Sequence, residues 1–330
     1  MRLLACADKF RGTLTAPEFG EAVRVGADRH NVVIQPLADG GEGTLEAFGG
    51  ANRTSTVTGP LGAPVDAAWR LSAGRAVIEM AQASGLLLAG GAEENDPLEA
   101  TTTGTGELIA KAVEAGAREI IVGLGGSAST DGGLGALRAL PAPARLRGVD
   151  LIVACDVETR FVDAAKVFGP QKGASGPQVS LLTARLERLL DVYRSEHGVD
   201  LSDTVGAGAA GGLAGGLVAA GARIESGAEL IADAVELYDQ IEEADLVVTG
   251  EGKVDPTSFA GKAVGTVMSL AAAAERPVLV IGGVVDPDAR IALDAAGVGW
   301  IDLVDRFGAE RAMAQAATCV ADAISDWISR

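Results

Sequence analysis

The stretch that most restricts the fold of this chain is Glu119–Leu137, EIIVGLGGSASTDGGLGAL. It opens as a buried-strand run (Ile120, Ile121, Val122), breaks into a Gly/Ser/Thr loop, and resumes as a helix after Asp131. A strand that passes through glycines into a helix start is an α/β device. It leaves free N–H groups and a positive dipole end facing one point, which suits an anion and phosphate above all. Gly125, Gly126 and Gly132 would let a ligand approach the backbone, while Ser127, Ser129 and Thr130 add hydroxyls. Asp131 would repel a phosphate unless a divalent cation lay between them, or unless it took a proton from an attacking hydroxyl. The plain alternative is a helix N-cap.

Two named motifs fail here. GLGGSA at 123–128 formally fits the dinucleotide fingerprint, but the nearest acid at a following strand end, Asp156, is too distant, and Asp131 sits where a pyrophosphate would lie. No Gly-Lys-Ser/Thr follows the glycines, so Walker A is excluded. The loop does have a near copy: DGGEGTL at 39–45 returns as DGGLGAL at 131–137. One turn design is used twice, and Asp39, Gly40 and Gly41 join the candidate anion-binding residues.

Strand–helix alternation frames the chain. Residues 3–7 form a first strand ending at Asp8-Lys9-Phe10-Arg11-Gly12, Thr15 and Glu18 make a capping box, and Val32–Leu37 is a second strand. Between 54 and 81 the apolar period drops to two, as in antiparallel hairpins. A strand at 151–155 ends in Asp156, and a glycine-rich segment at 206–216 contains Gly208 and Gly211. Strands at Leu246–Thr249, Val278–Ile281 and Trp300–Val304 close the chain. Two strands in front and three behind predict a five-stranded parallel sheet interrupted by an insertion. The expected division is a domain of 1–58 plus 229–330 and an inserted domain of 59–228. Ligands of such sheets lie beyond the strands' carboxyl ends, where Asp8, Asp39 and the turn TGEGKVD (249–255, with Glu251 and Asp255) fall.

Charge narrows the function. Lys+Arg 27 against Asp+Glu 45 gives −18, and aromatics are 4%, a poor match for nucleic acid or an anionic membrane. Of six lysines, Lys9, Lys172, Lys253 and Lys262 all fall in glycine-rich turns after apolar runs. Residues 204–222 carry no charge but are too poor in strongly apolar residues to span a membrane. Three cysteines without metal or disulfide spacing, and no signal peptide, lead us to expect a cytoplasmic protein with Cys6 and Cys155 buried. Acids for Mg²⁺, lysines for charge and glycine turns for phosphate oxygens are the parts of phosphoryl transfer.

The set ADGGEGT (38–44), GGSASTDGG (125–133), VFGPQKGA (167–174), GAGAAGGL (206–213) and TGEGKVD…GK (249–262) resembles the bacterial glycerate kinase family over nearly the whole chain. The resemblance implies a flavodoxin-like domain interrupted by an RNase-H-like one. It also implies ATP- and Mg²⁺-dependent phosphorylation of D-glycerate, with 2-phosphoglycerate the usual product. Departures are Asp8-Lys9-Phe10-Arg11-Gly12 where relatives read Asp-Ser-Phe-Lys-Gly, a shortened segment between Leu140 and Asp150, and Glu158-Thr159-Arg160-Phe161 in place of an Asn-Pro-Leu stretch.

Asp131, Asp156 and Asp8 are expected nearest the chemistry, as general base or, for Asp131 and Asp156, as Mg²⁺ ligands. Lys172 and Lys262 are expected on the substrate carboxylate or the phosphoryl group. Arg11, Asp39, Gly40, Gly41, Gly125, Gly126, Ser127, Ser129, Gly132, Gly208, Gly211, Glu251 and Asp255 complete the candidate binding set. The reading from another class is a non-catalytic sensor of a phosphorylated metabolite, but a pure anion binder has no use for so many acids.

Overall fold

A computed structural model describes residues 1–10, 12–259 and 262–329. In chain order its strands are β1 (Arg2–Ala5), β2 (Asn31–Ile34), β3 (Arg53–Thr58), β4 (Pro64–Ser72), β5 (Arg75–Glu79) and β6 (Glu119–Gly123). There follow β7 (Asp150–Ala154), β8 (Arg223–Glu225), β9 (Leu246–Val254), β10 (Val278–Val285) and β11 (Gly299–Asp302). The chain divides into two compact units, one of Met1–Asp39, Glu46–Phe48 and Ala228–Arg330, the other of Gly40–Leu45 and Gly49–Gly227.

The first unit holds a parallel sheet in the order β11-β10-β9-β1-β2. Its strands are apolar on both faces, as strands covered twice must be. Leu3, Ala5, Val248, Leu279 and Ile281 point to one side, where Phe19 and Val23 of the Ala16–Gly26 helix and Val320 and Ile324 of the Ala316–Ile328 helix meet them. Leu4, Cys6, Val247, Val278 and Val280 point to the other, against Ile231, Val264 and Val267. The order reverses at β1, which lies between β2 and β9, and such a switch point opens a crevice at the strands' carboxyl ends. The Thr15–Glu18 capping box forms as its spacing predicts.

One expectation in this unit is overturned. TGEGKVD is not a turn: β9 continues through it to Val254, with Glu251 paired to Gly282 and Lys253 to Val284 of β10. Its glycines serve the neighbouring strand, since a Cβ at Gly250 would lie 2.0 Å from the Ile281 carbonyl oxygen.

The second unit has a six-stranded mixed sheet in sequence order, β3 to β8. β3, β4 and β5 form the expected antiparallel meander, and β5 to β8 run parallel. β3 pairs with β4 from Arg53–Trp69 to Thr58–Pro64, so residues 49–58 belong here and not with the first domain, where the sequence reading put them. A strand of alternating exposed and buried residues needs a ladder partner, and β4 supplies it. Where the chain passes back to the first unit it forms two helices, Gly227–Ala234 and Leu237–Glu242, separated near Glu236, whose φ is 53°. The glycine-rich segment is a helix, Ala209–Ala219, broken near its start by left-handed Ala210, Gly211 and Gly212. Cys6, Cys155 and Cys319 are buried and form no disulfide. Among the described residues no helix is long and apolar enough to cross a membrane.

Candidate active site

At the carboxyl edge of the parallel sheet lies a cavity of about 400 Å³. Asp8 and Lys9 reach it just beyond β1, Asp39 beyond β2, Glu251 and Lys253 from β9, and Lys262 from the start of the Ala263–Ala273 helix. Asp8 and Glu251 therefore flank the switch point. Burial and the neighbouring Asp39 carboxylate push the Asp8 pKa up to about 7, against the pull of the Lys9 N–H, which donates to Asp8 Oδ1 at 2.6 Å. Burial likewise raises Glu251, and a hydrogen bond from Ser258 only partly offsets it. Glu251 Oε1 is buried and accepts no hydrogen bond.

Asp255 stands beside these groups in a shaping role. Its Oδ1 accepts from the Thr257 N–H and hydroxyl at 3.0 and 2.6 Å, and Thr257 Oγ1 in turn receives Lys262 Nζ at 3.0 Å. Arg11, also expected here, lies outside the described residues.

The expected residues of the second unit are placed differently. Asp131 is buried, with Oδ2 accepting from the Thr102 N–H at 2.9 Å, the Thr102 hydroxyl at 2.8 Å and the Gly135 N–H at 3.1 Å, and Oδ1 from the Gly133 N–H at 3.0 Å. It ties the start of the Thr103–Glu114 helix to that of the Leu134–Ala139 helix. Asp156 Oδ1 accepts from the Gly227 N–H at 2.9 Å, at the first residue of the Gly227–Ala234 helix. Both acids, expected as Mg²⁺ ligands, thus accept from loop and helix-start donors, and the described residues contain no cluster of three or more His, Cys, Asp or Glu fit to enclose a metal.

Several of the expected glycines lie directly against protein. A Cβ on Gly125 would lie 2.7 Å from Gly41 Cα, on Gly132 2.6 Å from Leu189, on Gly208 2.3 Å from the Arg160 carbonyl oxygen, and on Gly211 2.0 Å from the Ser129 carbonyl oxygen. These positions are filled by protein. Gly126 alone of the loop is exposed, and Ser127 forms an isolated bridge to Gly85. The two copies of the DGG turn meet: the Leu124 N–H donates to the Gly40 carbonyl at 2.7 Å, and Gly40, at φ +84°, abuts the Ala154 carbonyl.

Lys172 is 2% exposed, and its Nζ donates to the Ser129 carbonyl at 2.6 Å. Burial brings its pKa down to about 7 although the Asp131 charge favours the ammonium. Ser129 Oγ and Thr130 Oγ1 are buried without a hydrogen bond. Sequence reasoning missed two residues that build this region. Glu79, buried at the end of β5, accepts the Gly43 and Leu45 N–H groups on Oε1, both at 2.9 Å. Asn95 Nδ2 donates to the Ala128 and Lys172 carbonyls at 3.1 and 2.9 Å. An acid closing the apolar run RAVIE was a usable signal for Glu79; nothing in the sequence set Asn95 apart.

The sequence model of the glycerate kinase family matches residues 3–144 and 141–329. The chain belongs to the glycerate kinase family. It is 39% identical over 334 residues to the glycerate 2-kinase of Escherichia coli K12, covering 88% of this chain and 87% of that one. It is 37% identical over 335 residues to the glycerate kinase of Bacillus subtilis 168, covering 88% and 87%. A solved structure from Salmonella typhimurium LT2, named as a glycerate kinase 2, superposes with a TM-score of 0.82 at 32% identity, covering 100% of this chain and 97% of that one. As a member of a kinase family the chain is a phosphotransferase, and the two-domain α/β fold is that of its structural neighbour.

Proposed function

We propose that this glycerate kinase family member transfers the terminal phosphoryl group of ATP to D-glycerate, with Mg²⁺, giving 2-phosphoglycerate, and that the transfer takes place at the parallel-sheet cavity. The carrying observation is the meeting of Asp8, Asp39 and Glu251 with Lys9, Lys253 and Lys262 at the switch point of that sheet. The donor set fits Mg²⁺: hard carboxylate oxygens, one of them buried and unpartnered on Glu251. Mg²⁺ is commonly held by one or two carboxylates plus the phosphates of its substrate, so a closed protein cage is not needed. Asp39 and Glu251 are the residues that would hold it, and when bound it neutralises charge on the phosphates.

The chain's own groups supply the rest. Asp8, with a pKa of about 7, is ionised in a useful fraction at neutral pH and basic enough to take the proton of a substrate hydroxyl. Lys262, steadied by Thr257, and Lys9 place positive charge against the transferring group. Asp255 orients Thr257. The second unit's Asp131, Lys172 and Glu79 hold its loops in shape. The test is ADP release from ATP and Mg²⁺ with D-glycerate, followed by ³¹P NMR of the product. No glycerate-dependent ADP refutes the kinase reading, and a 3-phosphoglycerate signal refutes the regiochemistry alone.

A further inference from the structure

The cavity is sorted along its length. Its acids and lysines come from the β2, β1 and β9 side, with Thr13 among them. Its other end, at the last residues of β10 and beyond β11, is walled by Val284, Val304, Ala312, Met313 and Ala316, none with a side-chain donor or acceptor of ordinary strength. Met313 is 63% and Val284 41% exposed, large apolar side chains left open to the cavity in a chain that buries most others. Strands lie about 4.8 Å apart, so the distance from β2 to β11, four spacings, is about 19 Å. Glycerate, small and polar throughout, has no use for that apolar end. A ligand charged at one end and flat and apolar at the other does.

We infer that the apolar end seats the base of the phosphoryl donor and holds it by shape and apolar contact, so that the donor is selected as a nucleoside triphosphate rather than as ATP specifically. This rests on the kinase reading above and adds the donor's chemical class. A site that hydrogen-bonds a substrate group rejects an analogue lacking it by 10⁴–10⁵-fold, whereas an apolar pocket discriminates by only about 10²-fold. Adenine and guanine differ in the groups on their hydrogen-bonding edge, and the side chains here cannot read that edge. Purines outrank pyrimidines for a related reason: the larger ring covers more apolar wall.

The experiment compares ATP, GTP, ITP and UTP as donors with D-glycerate and Mg²⁺, alongside displacement of a fluorescent N-methylanthraniloyl-ADP by ADP, GDP and tripolyphosphate. The expected kcat/KM of GTP and ITP is within about 10²-fold of ATP, with UTP below them. Met313→Ser is expected to weaken ADP and GDP alike by about threefold to tenfold while leaving tripolyphosphate displacement unchanged. Activity with ATP but about 10⁴-fold less with GTP overturns the inference and leaves the kinase reading standing. So does a Met313→Ser variant that binds both nucleotides as the parent does. If no donor supports turnover but the fluorescent nucleotide binds and Met313→Ser weakens it, the base seat stands and the kinase reading falls. Absence of nucleotide binding overturns the seat outright.

Discussion

Asp8 is a carboxyl group placed where ionisation is expensive, and its proton is therefore poised at neutral pH. Its native pKa of about 7 lies above the ordinary 3.8, so between those values the folded chain keeps a proton that the unfolded chain has lost. Stability from this group is complete below about pH 4 and declines as pH rises through 7. Asp8→Asn is expected to raise Tm at pH 8 and leave it nearly unchanged at pH 4, by differential scanning calorimetry. The same change is expected to lower kcat by about 10²–10⁴-fold. In the parent, kcat/KM should fall about tenfold per pH unit below about 7. Lys172 works in the opposite sense. Its native pKa of about 7 lies below 10.5, so the folded chain holds fewer protons between them and stability climbs with pH through that window. Lys172→Met should remove that climb, with urea unfolding at pH 6.5 and 10 as the measurement. A variant that keeps the climb would refute the assignment.

Elements built from apolar runs were legible because burial on both faces leaves few other uses for such a run. Leu3–Cys6, Ile120–Val122 and Val278–Ile281 are of this kind. What misled was glycine. The same residue allows a phosphate or a neighbouring strand to come close, and local sequence does not say which. Gly250 and Gly283 serve the β9–β10 pair, and Gly132 and Gly211 let the 129–133 loop lie on the glycine-rich helix, with the Gly132 N–H donating to the Gly211 carbonyl at 3.0 Å. Asp131 posed the same ambiguity, since base, metal ligand and capping acceptor are one residue type. The helix contact gives a direct comparison. Gly211→Ala, at φ +70° with its Cβ 2.0 Å from a carbonyl oxygen, should cost at least about 3 kcal/mol in denaturant unfolding. Gly148→Ala, at φ +79° with nothing within 4 Å, should cost only about 1 kcal/mol. Equal losses would mean that backbone conformation, and not the close approach, explains the glycine.

At the scale of the molecule, the division into units dictates which pieces stand alone. Residues 40–227 contain the Gly40–Leu45 turn whose N–H groups satisfy Glu79 Oε1, together with β3. Residues 59–228 lack both and leave a buried carboxylate oxygen without those donors. The 40–227 fragment should unfold cooperatively by circular dichroism. The 59–228 fragment should melt at least about 6 °C lower, from two charge-assisted hydrogen bonds alone. Matching melting curves would show that the turn is not part of the unit's fold.

The position of β1 between β2 and β9 also sets a timetable for synthesis. When β1 and β2 have left the ribosome, the other side of β1 has no partner until Leu246 follows, roughly 210 residues after Ile34. At a translation rate of about 5–20 residues per second that is roughly 10–40 s during which Leu3, Leu4 and Ala5 present an open strand edge. The intervening residues, by contrast, can close their own sheet while the chain is still growing. The nascent protein thus finishes its middle before its beginning, and the early strands are where a holding chaperone has the longest opportunity to bind.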